Sequence, residues 1–543
     1  MESPRSCSGI PRRRIPNQNL LTRLRRRQLV ACYPGTHWHA ARQFNECIFP
    51  NFTVVNIEKP ATFLRKFSPD GRHFIGFSLD QSSLEIFEYQ GPCLIAGLVR
   101  ATRDPIELKQ NIFKTAFRLK CVTHVAPERE HLNRECSLFA ENGRYVVVAS
   151  AALVPDNPYP FVHEVNQNNE SLPPTARSPL EDYTLHIVDL HTGLLTDSKA
   201  FKCDKIFLPH NQGLYLYDDT LAVLSVQHQT IHVFSLVGGT FVAVRRIGRF
   251  CYEDDEITWM TSSVDRCAPH KDAMTNALKH RLLTHVWKTE ASSSSSRARL
   301  FFKQFDYFEQ LRIWKMQLLD SRLLLLRYAT EDVVLLKHPD PNAQASLFVV
   351  YDMETTRVVA MYDNTSEQLY DLFVRFADHF RNAVPSNRPQ FTCSSSSNVH
   401  AHHSQLRFKK TITKAKYGGP SEAVKRLLAQ LPISAQSYST SPYLDLSLFS
   451  YDEKCVSVLE RPKACGDFPI KFFSRESGLL KFRLHTEHLG TQVNPAVAAM
   501  ARRLVAFTFH PTDPFAVSVQ RVNGEYVVSF HFRVFGCGNA DWI

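Results

Sequence analysis

Short apolar runs separated by tight-turn signals recur along this chain, and that alternation limits what it can fold into. Residues 66–89, KFSPDGRHFIGFSLDQSSLEIFEY, show the unit. In Ser68-Pro69-Asp70-Gly71 the proline presets φ, the aspartate can bond its own backbone and the glycine can take positive φ, so the four residues read as a turn. Residues 74–78 then read as a strand with both faces mostly apolar, as in a buried sheet. After a polar turn at 80–83, Leu84, Ile86, Phe87 and Tyr89 make a further strand. Such an antiparallel meander cannot bury its own faces and needs sister sheets.

Sister segments are present. FHPTDPFAVSVQRVNGEYVVSFHF (509–532) repeats the layout, with turns at Asp513-Pro514 and Asn523-Gly524. Asn142-Gly143 sits between strands in 138–150, a strong hairpin signal. Residues 183–193 read as a strand ending in a turn, and 213–247 as four short strands. Segments 314–363, 443–462 and 469–484 continue the pattern. Four-strand units of about 40 residues predict a mostly β chain: a β-propeller of about seven degenerate blades. The common repeat signature fails, since there is no Trp-Asp dipeptide. A β-sandwich with extra domains is the alternative.

The 543 residues are 44% apolar and 11% aromatic, enough for a large core. No run reaches the roughly 18 apolar residues of a membrane helix. The basic N-terminus is not followed by the apolar stretch of a secretory signal. Thirteen cysteines, scattered and without Cys-x-x-Cys, suit a reducing compartment, and the chain reads as intracellular.

Net charge is +11, unevenly spread: residues 1–31 hold eight arginines against one glutamate. A basic tail on a near-neutral body suggests an address label or docking arm rather than a nucleic-acid groove. Pro11 and Pro16 keep the start extended, and Asn17 reads as the N-cap of a helix over NQNLLTRLRRRQLV. Leu20, Leu21 and Leu24 share one side of it. After a Pro34-Gly35 turn, a second short helix is expected at HWHAARQFNECIF, carrying Trp38, Arg42, Phe44 and Ile48. An apolar stripe outside the sheet repeat wants a partner groove, unless it packs on its own propeller. Arg12, Arg13 and Arg14 with Arg23, Arg25, Arg26 and Arg27 also read as a bipartite nuclear signal. Direct contact with nucleic acid is the less favoured use.

Other segments interrupt the blades. The serine tract 291–299 reads as part of a disordered insertion near 288–299. Residues 366–380 place Leu369, Leu372, Phe373, Phe376 and Phe380 on one helical face. A Ser-rich linker at 386–405 leads to two helices around Gly418-Gly419-Pro420, with Ser421 as the second cap. The expected organisation is therefore a docking arm (1–50), blades (51–365), a helical insertion (366–431) and closing blades (432–543). Insertions of that kind usually carry interactions.

A search for chemistry finds no catalytic constellation. Gly418-Gly419-Pro420 is no phosphate cradle, because Pro420 lacks an N–H. The acidic run Glu253, Asp254, Asp255 and Glu256 reads as a solvated turn. His37 and His39, and His400, His402 and His403, lack further ligands of metal-site spacing. His485, Glu487 and His488 show no wider pattern. Cys136 and Cys203 sit beside strands and read as core thiols. No cofactor or metal is expected. Two classes remain beside a scaffold: a DNA or chromatin binder using the arginine arm, and a propeller enzyme working at its central channel.

Many long strings carry a resemblance. FPNFTVVNIEKP, LRKFSPDGRHFIGFSLDQSSLEIFEYQG, EHLNRECSLF, FKCDKIFLPHNQGLYLY, LRIWKMQLLD, AKYGGPSEAVKRLLAQLPISAQSYSTSPYLDLSLFSYDEK and RRLVAFTFHPTDPFAVSVQRVNGEYVV resemble the De-etiolated-1 homolog family from the arm almost to the C-terminus. Departures fall in the first 10 residues, around 91–130, around 255–300, at 386–405 and after 534. The resemblance implies a nuclear, non-catalytic component of a cullin-4 RING ubiquitin ligase. It implies docking on the damage-specific DNA-binding protein 1 adaptor with its small associated acidic partner. It also implies cooperation with the constitutively photomorphogenic RING-type receptor to present transcription factors for ubiquitination and degradation. Adaptor docking would fall to Leu20, Leu21, Leu24, Trp38, Arg42 and Phe44. Whether the insertion meets the ligase, an E2 enzyme or its own propeller stays open.

Overall fold

In the computed structural model the described residues are 21, 44–154, 160, 162–174, 179–249, 277–291, 295–382, 399–466, 468–486, 503–522 and 525–534. They form six antiparallel sheets. The first runs Thr62–Phe67, His73–Ser78, Ser83–Tyr89, Phe117–His124, in that order from inner to exposed outer strand. The second carries Leu138–Ala140 inside and ends on Leu195–Asp204. The third spans Leu214–Tyr217 to Thr240–Ile247, and the fourth Leu311–Leu318 to Arg357–Asp363. The fifth is a three-stranded sheet of Phe449–Ser450, Ile470–Ser474 and Leu480–Leu484.

The sixth sheet closes the ring. Phe52–Val54 adds antiparallel to Glu525–Phe532, with Phe52 opposite Phe532 and Thr53 opposite His531. Asn51 locks the seam: its Nδ2 donates to the Val534 carbonyl at 3.0 Å, and the Val534 N–H donates to its Oδ1 at 2.8 Å. His531 is fully buried, with Nδ1 2.9 Å from Thr53 Oγ1 and Nε2 2.9 Å from Ser518 Oγ.

Neighbouring sheets share their cores around this ring. Ile75 and Phe77 pack with Val146 and Val148 between the first and second sheets. One cluster runs through the second, third and fourth, from Val147 through Val223 to Leu326. Phe482 and Phe507 join the fifth to the sixth, and Phe530 and Phe74 join the sixth to the first. Gly71 fits the last junction closely. Its φ is 76°, and a Cβ there would sit 2.5 Å from the His510 ring, which only glycine avoids. With successive four-stranded meanders and a seam between chain ends, the fold is a β-propeller.

The fourth and fifth sheets are bridged by helices. Val424, Leu427 and Leu428 of the helix Pro420–Leu428 pack with Leu325 and Phe348 of the fourth sheet. Ala401 of the helix Val399–Thr413 joins the core of the fifth.

From the last of these helices the chain passes across the innermost strands, and we call residues 431–439 the strap. Ile433 N–H donates to Gln317 Oε1 in the fourth sheet at 2.8 Å. Asn211 Nδ2, at the entry to the third, donates to the Ala435 carbonyl at 3.4 Å. Gln436 pairs by its side chain with both backbone groups of Phe139 in the second sheet, at 2.9 and 2.7 Å. Lys66 Nζ of the first sheet donates to the Gln436 carbonyl at 2.6 Å. The strap thus crosses the axis and ties together the inner strands of the first, second and fourth sheets and the turn that enters the third.

Several expectations need correcting. The described residues hold six sheets where about seven were expected, because helices occupy length that was allotted to strands. Of 443–462 only Phe449–Ser450 is strand: Tyr443, Leu444, Leu446 and Leu448 are core, but Asp445 turns the chain by accepting from Ser447 N–H at 2.8 Å. Residues 288–291 and Ser295–Glu309 are helical in place of a disordered insertion, since burial of Phe301 and Phe308 outweighs the indifferent serines. The helix Val399–Thr413 takes in 399–405 of the expected linker, anchored by Ala401. Gly419, at φ 128°, caps the helix in which Pro420 is the first residue, so Ser421 lies inside it. Two helices, Pro92–Ala101 and Pro105–Ala116, lie between the third and fourth strands of the first sheet, where apolar periodicity predicts no element; Ile95, Ile112 and Phe113 pack them on the seam's core.

Burial pushes the His531 imidazole down to about 3 and that of His186 to about 4. The unfolded chain therefore takes up protons between about pH 6.5 and 4 that the folded chain refuses, and stability falls on acidification. His531 alone costs about 2 kcal/mol at pH 5. Urea unfolding at pH 7 and 5 will show this loss, and His531→Gln, weaker at pH 7, will show a flatter dependence. Gln436→Ala strands two backbone groups of Phe139 and will cost about 2–3 kcal/mol in the same assay at pH 7.

Candidate functional site

The arm meets the ring at the seam. Residues 44–47 are helical and Phe44 is half-buried. Ile48 and Phe49 are then buried: the Ile48 carbonyl accepts from the Tyr443 hydroxyl at 2.7 Å, and Phe49 stacks on Phe482 at 5.7 Å. Leu21 is helical and 71% exposed. Leu20, Leu24, Trp38 and Arg42 lie outside the described residues, as do Arg12, Arg13, Arg14, Arg25, Arg26 and Arg27. The structure therefore brings the arm's last helical turn to the seam and leaves the rest of the stripe untested.

The helical insertion has two faces. Ser366 Oγ caps the helix Glu367–Arg375 at the Leu369 N–H, and Leu369, Tyr370 and Phe373 turn inward. Of the expected stripe, Phe380 is buried as well, whereas Phe376 is 51% exposed. Lys409 clamps the next helix down, with Nζ 4.4 Å from the Tyr370 ring centre and 3.7 Å from Glu367. Outward stand Phe408 and Tyr417, 43% and 84% exposed, among Arg407, Lys410, Lys414 and Lys416. A basic face with exposed aromatics can hold an acidic protein surface.

Reactive groups are accounted for structurally. Burial pushes the Cys136 and Cys465 thiols up to about 12 and Cys203 to about 11, so none is poised as a thiolate. Asp204 is pushed up to about 6 by burial and accepts from Ser225 Oγ at 2.7 Å and from the Lys205 N–H at 2.6 Å. Among the described residues no three His, Cys, Asp or Glu side chains gather as metal ligands. His402 and His403 lie on a helix with rings 6.5 Å apart. Glu253, Asp254, Asp255, Glu256, His37, His39, Glu487 and His488 fall outside the described residues. The central channel, where a propeller enzyme would work, is crossed by the strap. Periodicity missed the strap, because Gln436 acts through backbone atoms 297 residues away.

The family model for De-etiolated protein 1 (Det1) matches residues 134–534. The chain is 32% identical over 543 residues to the light-mediated development protein DET1 of Solanum lycopersicum, covering 95% of this chain and 99% of that protein. It is also 32% identical over 561 residues to the protein of the same name from Arabidopsis thaliana, with the same coverage. Among solved structures, the Cps50 (Swd1) β-propeller domain of Myceliophteria thermophila aligns with 88% of this chain and 98% of its own at 7% identity. Its TM-score is 0.30, so the propeller assignment rests on the sheet topology above. With that model covering most of the chain and both relatives matching nearly end to end, this chain belongs to the De-etiolated protein 1 family.

Proposed function

We propose that this chain is a nuclear, non-catalytic scaffold of a cullin-4 RING ubiquitin ligase. Its arm docks on the damage-specific DNA-binding protein 1 adaptor, beside the adaptor's small acidic partner. Its propeller and insertion serve the ligase core, the RING-type receptor and an E2 enzyme, so that transcription factors are ubiquitinated and degraded. Arg12, Arg13, Arg14, Arg25, Arg26 and Arg27 serve nuclear entry.

The observation that carries the docking role is where the arm leaves the ring. Ile48, Phe49 and Asn51 fasten it to the seam, so a partner gripping residues before 44 holds the whole propeller in one orientation. Family membership and the strap across the channel support a holding rather than a catalytic role.

Co-elution with the purified adaptor on size exclusion tests this. The full-length chain is expected to co-elute, and a chain lacking residues 1–43, which keeps the seam, is expected not to. Leu20→Asp with Leu24→Asp places two charges in an apolar groove and should weaken binding by about a hundredfold or more. Undiminished binding by both variants would remove the arm from the adaptor interface. Loss of duplex-DNA retention on the same truncation, with adaptor binding intact, would favour a chromatin-binding arm.

A further inference from the structure

The hairpin of the helices Val399–Thr413 and Pro420–Leu428 keeps its unpaired charge in one place. Residues 399–421 hold five lysines and arginines and no acid. One of the five, Lys409, is paired inward with Glu367 at 3.7 Å. In the second helix Lys425 and Arg426 share Glu422, at 3.9 and 2.6 Å. Arg407, Lys410, Lys414 and Lys416 are exposed, and none of the four has a carboxylate partner among the described residues.

The helix sets these cations in a row. Arg407, Lys410 and Lys414 follow at i, i+3 and i+7, so they share one side over about 10 Å. Lys410 comes nine residues after Ala401, which is buried in the core of the fifth sheet. Nine residues are about two and a half turns, so the row faces away from that core.

Tyr417 stands at the end of the row, 84% exposed, with Lys416 Nζ 5.4 Å from its ring centre. The tip that carries it is closed by backbone bonds. The Gly418 N–H donates to the Ala415 carbonyl at 3.0 Å, and the Gly419 N–H to the Ile412 carbonyl at 3.3 Å. A Cβ on Gly418 would fall 1.8 Å from the Ile412 oxygen, so the chain turns this tightly only with glycine there. A tyrosine held out on a fixed tip beside unpaired cations has the make-up of an interface anchor, because little side-chain freedom is left to lose on binding.

Neighbouring acids narrow the choice of occupant. On one flank of the row Ser404 Oγ lies 3.5 Å from Glu453 Oε1, and on the other Glu367 meets Lys409. A broad polyanion, duplex DNA or an anionic bilayer, would be pressed against these carboxylates as well. One narrow element lying along the row reaches the cations between them. We propose that this face is a docking site for a single acidic amphipathic helix of a partner protein, laid antiparallel along Arg407, Lys410 and Lys414 with an apolar side chain on Tyr417. Carboxylates at i, i+3 and i+7 match the cations in spacing, and the antiparallel direction sets the partner's positive N-terminus beside the negative C-terminal end of Val399–Thr413. The site lies outside the arm and is separate from adaptor docking.

The test is fluorescence anisotropy of a labelled, alanine-based helical peptide of about 20 residues, titrated with the full-length chain. The peptide carries glutamates at i, i+3 and i+7 and a leucine one turn before the first. A scrambled peptide of equal composition measures the background from the arginine-rich arm. Saturable binding at least tenfold tighter than that background is expected. Arg407→Glu with Lys410→Glu should reduce it to background, and Tyr417→Ala should weaken it at least threefold, with adaptor co-elution unchanged in both. The peptide with lysines for glutamates should bind the doubly reversed chain and not the unaltered one, a gain that a misfolded variant could not show. Equal binding of the ordered and scrambled peptides would overturn the proposal, as would undiminished binding by the doubly reversed chain. Tighter binding of duplex DNA or phosphatidylserine vesicles that the same reversal abolishes would overturn it in favour of a broad polyanion. A dimer of the chain that the reversal dissolves would overturn it in favour of a second copy.

Discussion

The pairing of Phe52–Val54 with Glu525–Phe532 is the contact on which the ring depends. Every sheet of a propeller buries its faces against two neighbours, so an open seam would leave a face of the first sheet and a face of the sixth in water. Three strand residues close it because the cost of closure grows only with the logarithm of loop length. Asn51, the Phe52–Phe532 ring contact at 5.7 Å and the buried His531 add what so short a strand lacks. The aromatic core behind it, where Phe530, Phe515 and Phe117 meet within 6 Å, packs the first sheet against the sixth.

The strap answers a second demand. Inner strands leave backbone groups facing the axis, and a buried unpaired group is costly. Gln436, held in left-handed backbone at φ 49°, gives both amide atoms to Phe139. Helices deliver this segment by bridging the fourth and fifth sheets. The insertion is thus part of the ring's construction on one face and an exposed basic surface on the other.

Local chemistry was legible in the sequence wherever a single turn decides the matter. The Pro-Asp-Gly turn at 69–71 and the four strands between Leu214 and Ile247 fall where turn residues and alternation put them. The helices at 92–116 had their signals in Pro92 and in Asp104, which accepts from the Ile106 N–H at 2.9 Å ahead of Pro105; apolar periodicity alone passed over them. The segment at 443–462 has the right apolar residues in the wrong backbone, because Asp445 competes for the chain's own N–H groups. The strap was beyond any reading of spacing: Gln436 and Phe139 are 297 positions apart, and only the closed ring brings them together.

The seam also sets a timetable. Thr53 leaves the ribosome 478 residues before His531, its partner across the seam. At ordinary rates of synthesis, about 5–20 residues per second, that is roughly 25–100 s. Once made, the first sheet can gain its second-sheet neighbour within that interval but not its sixth, and Phe67, Phe74 and Phe117 face solvent or a chaperone. A chain cut short before the sixth sheet begins at Arg503 keeps that face open permanently and becomes a substrate for quality control, however well its other blades have formed.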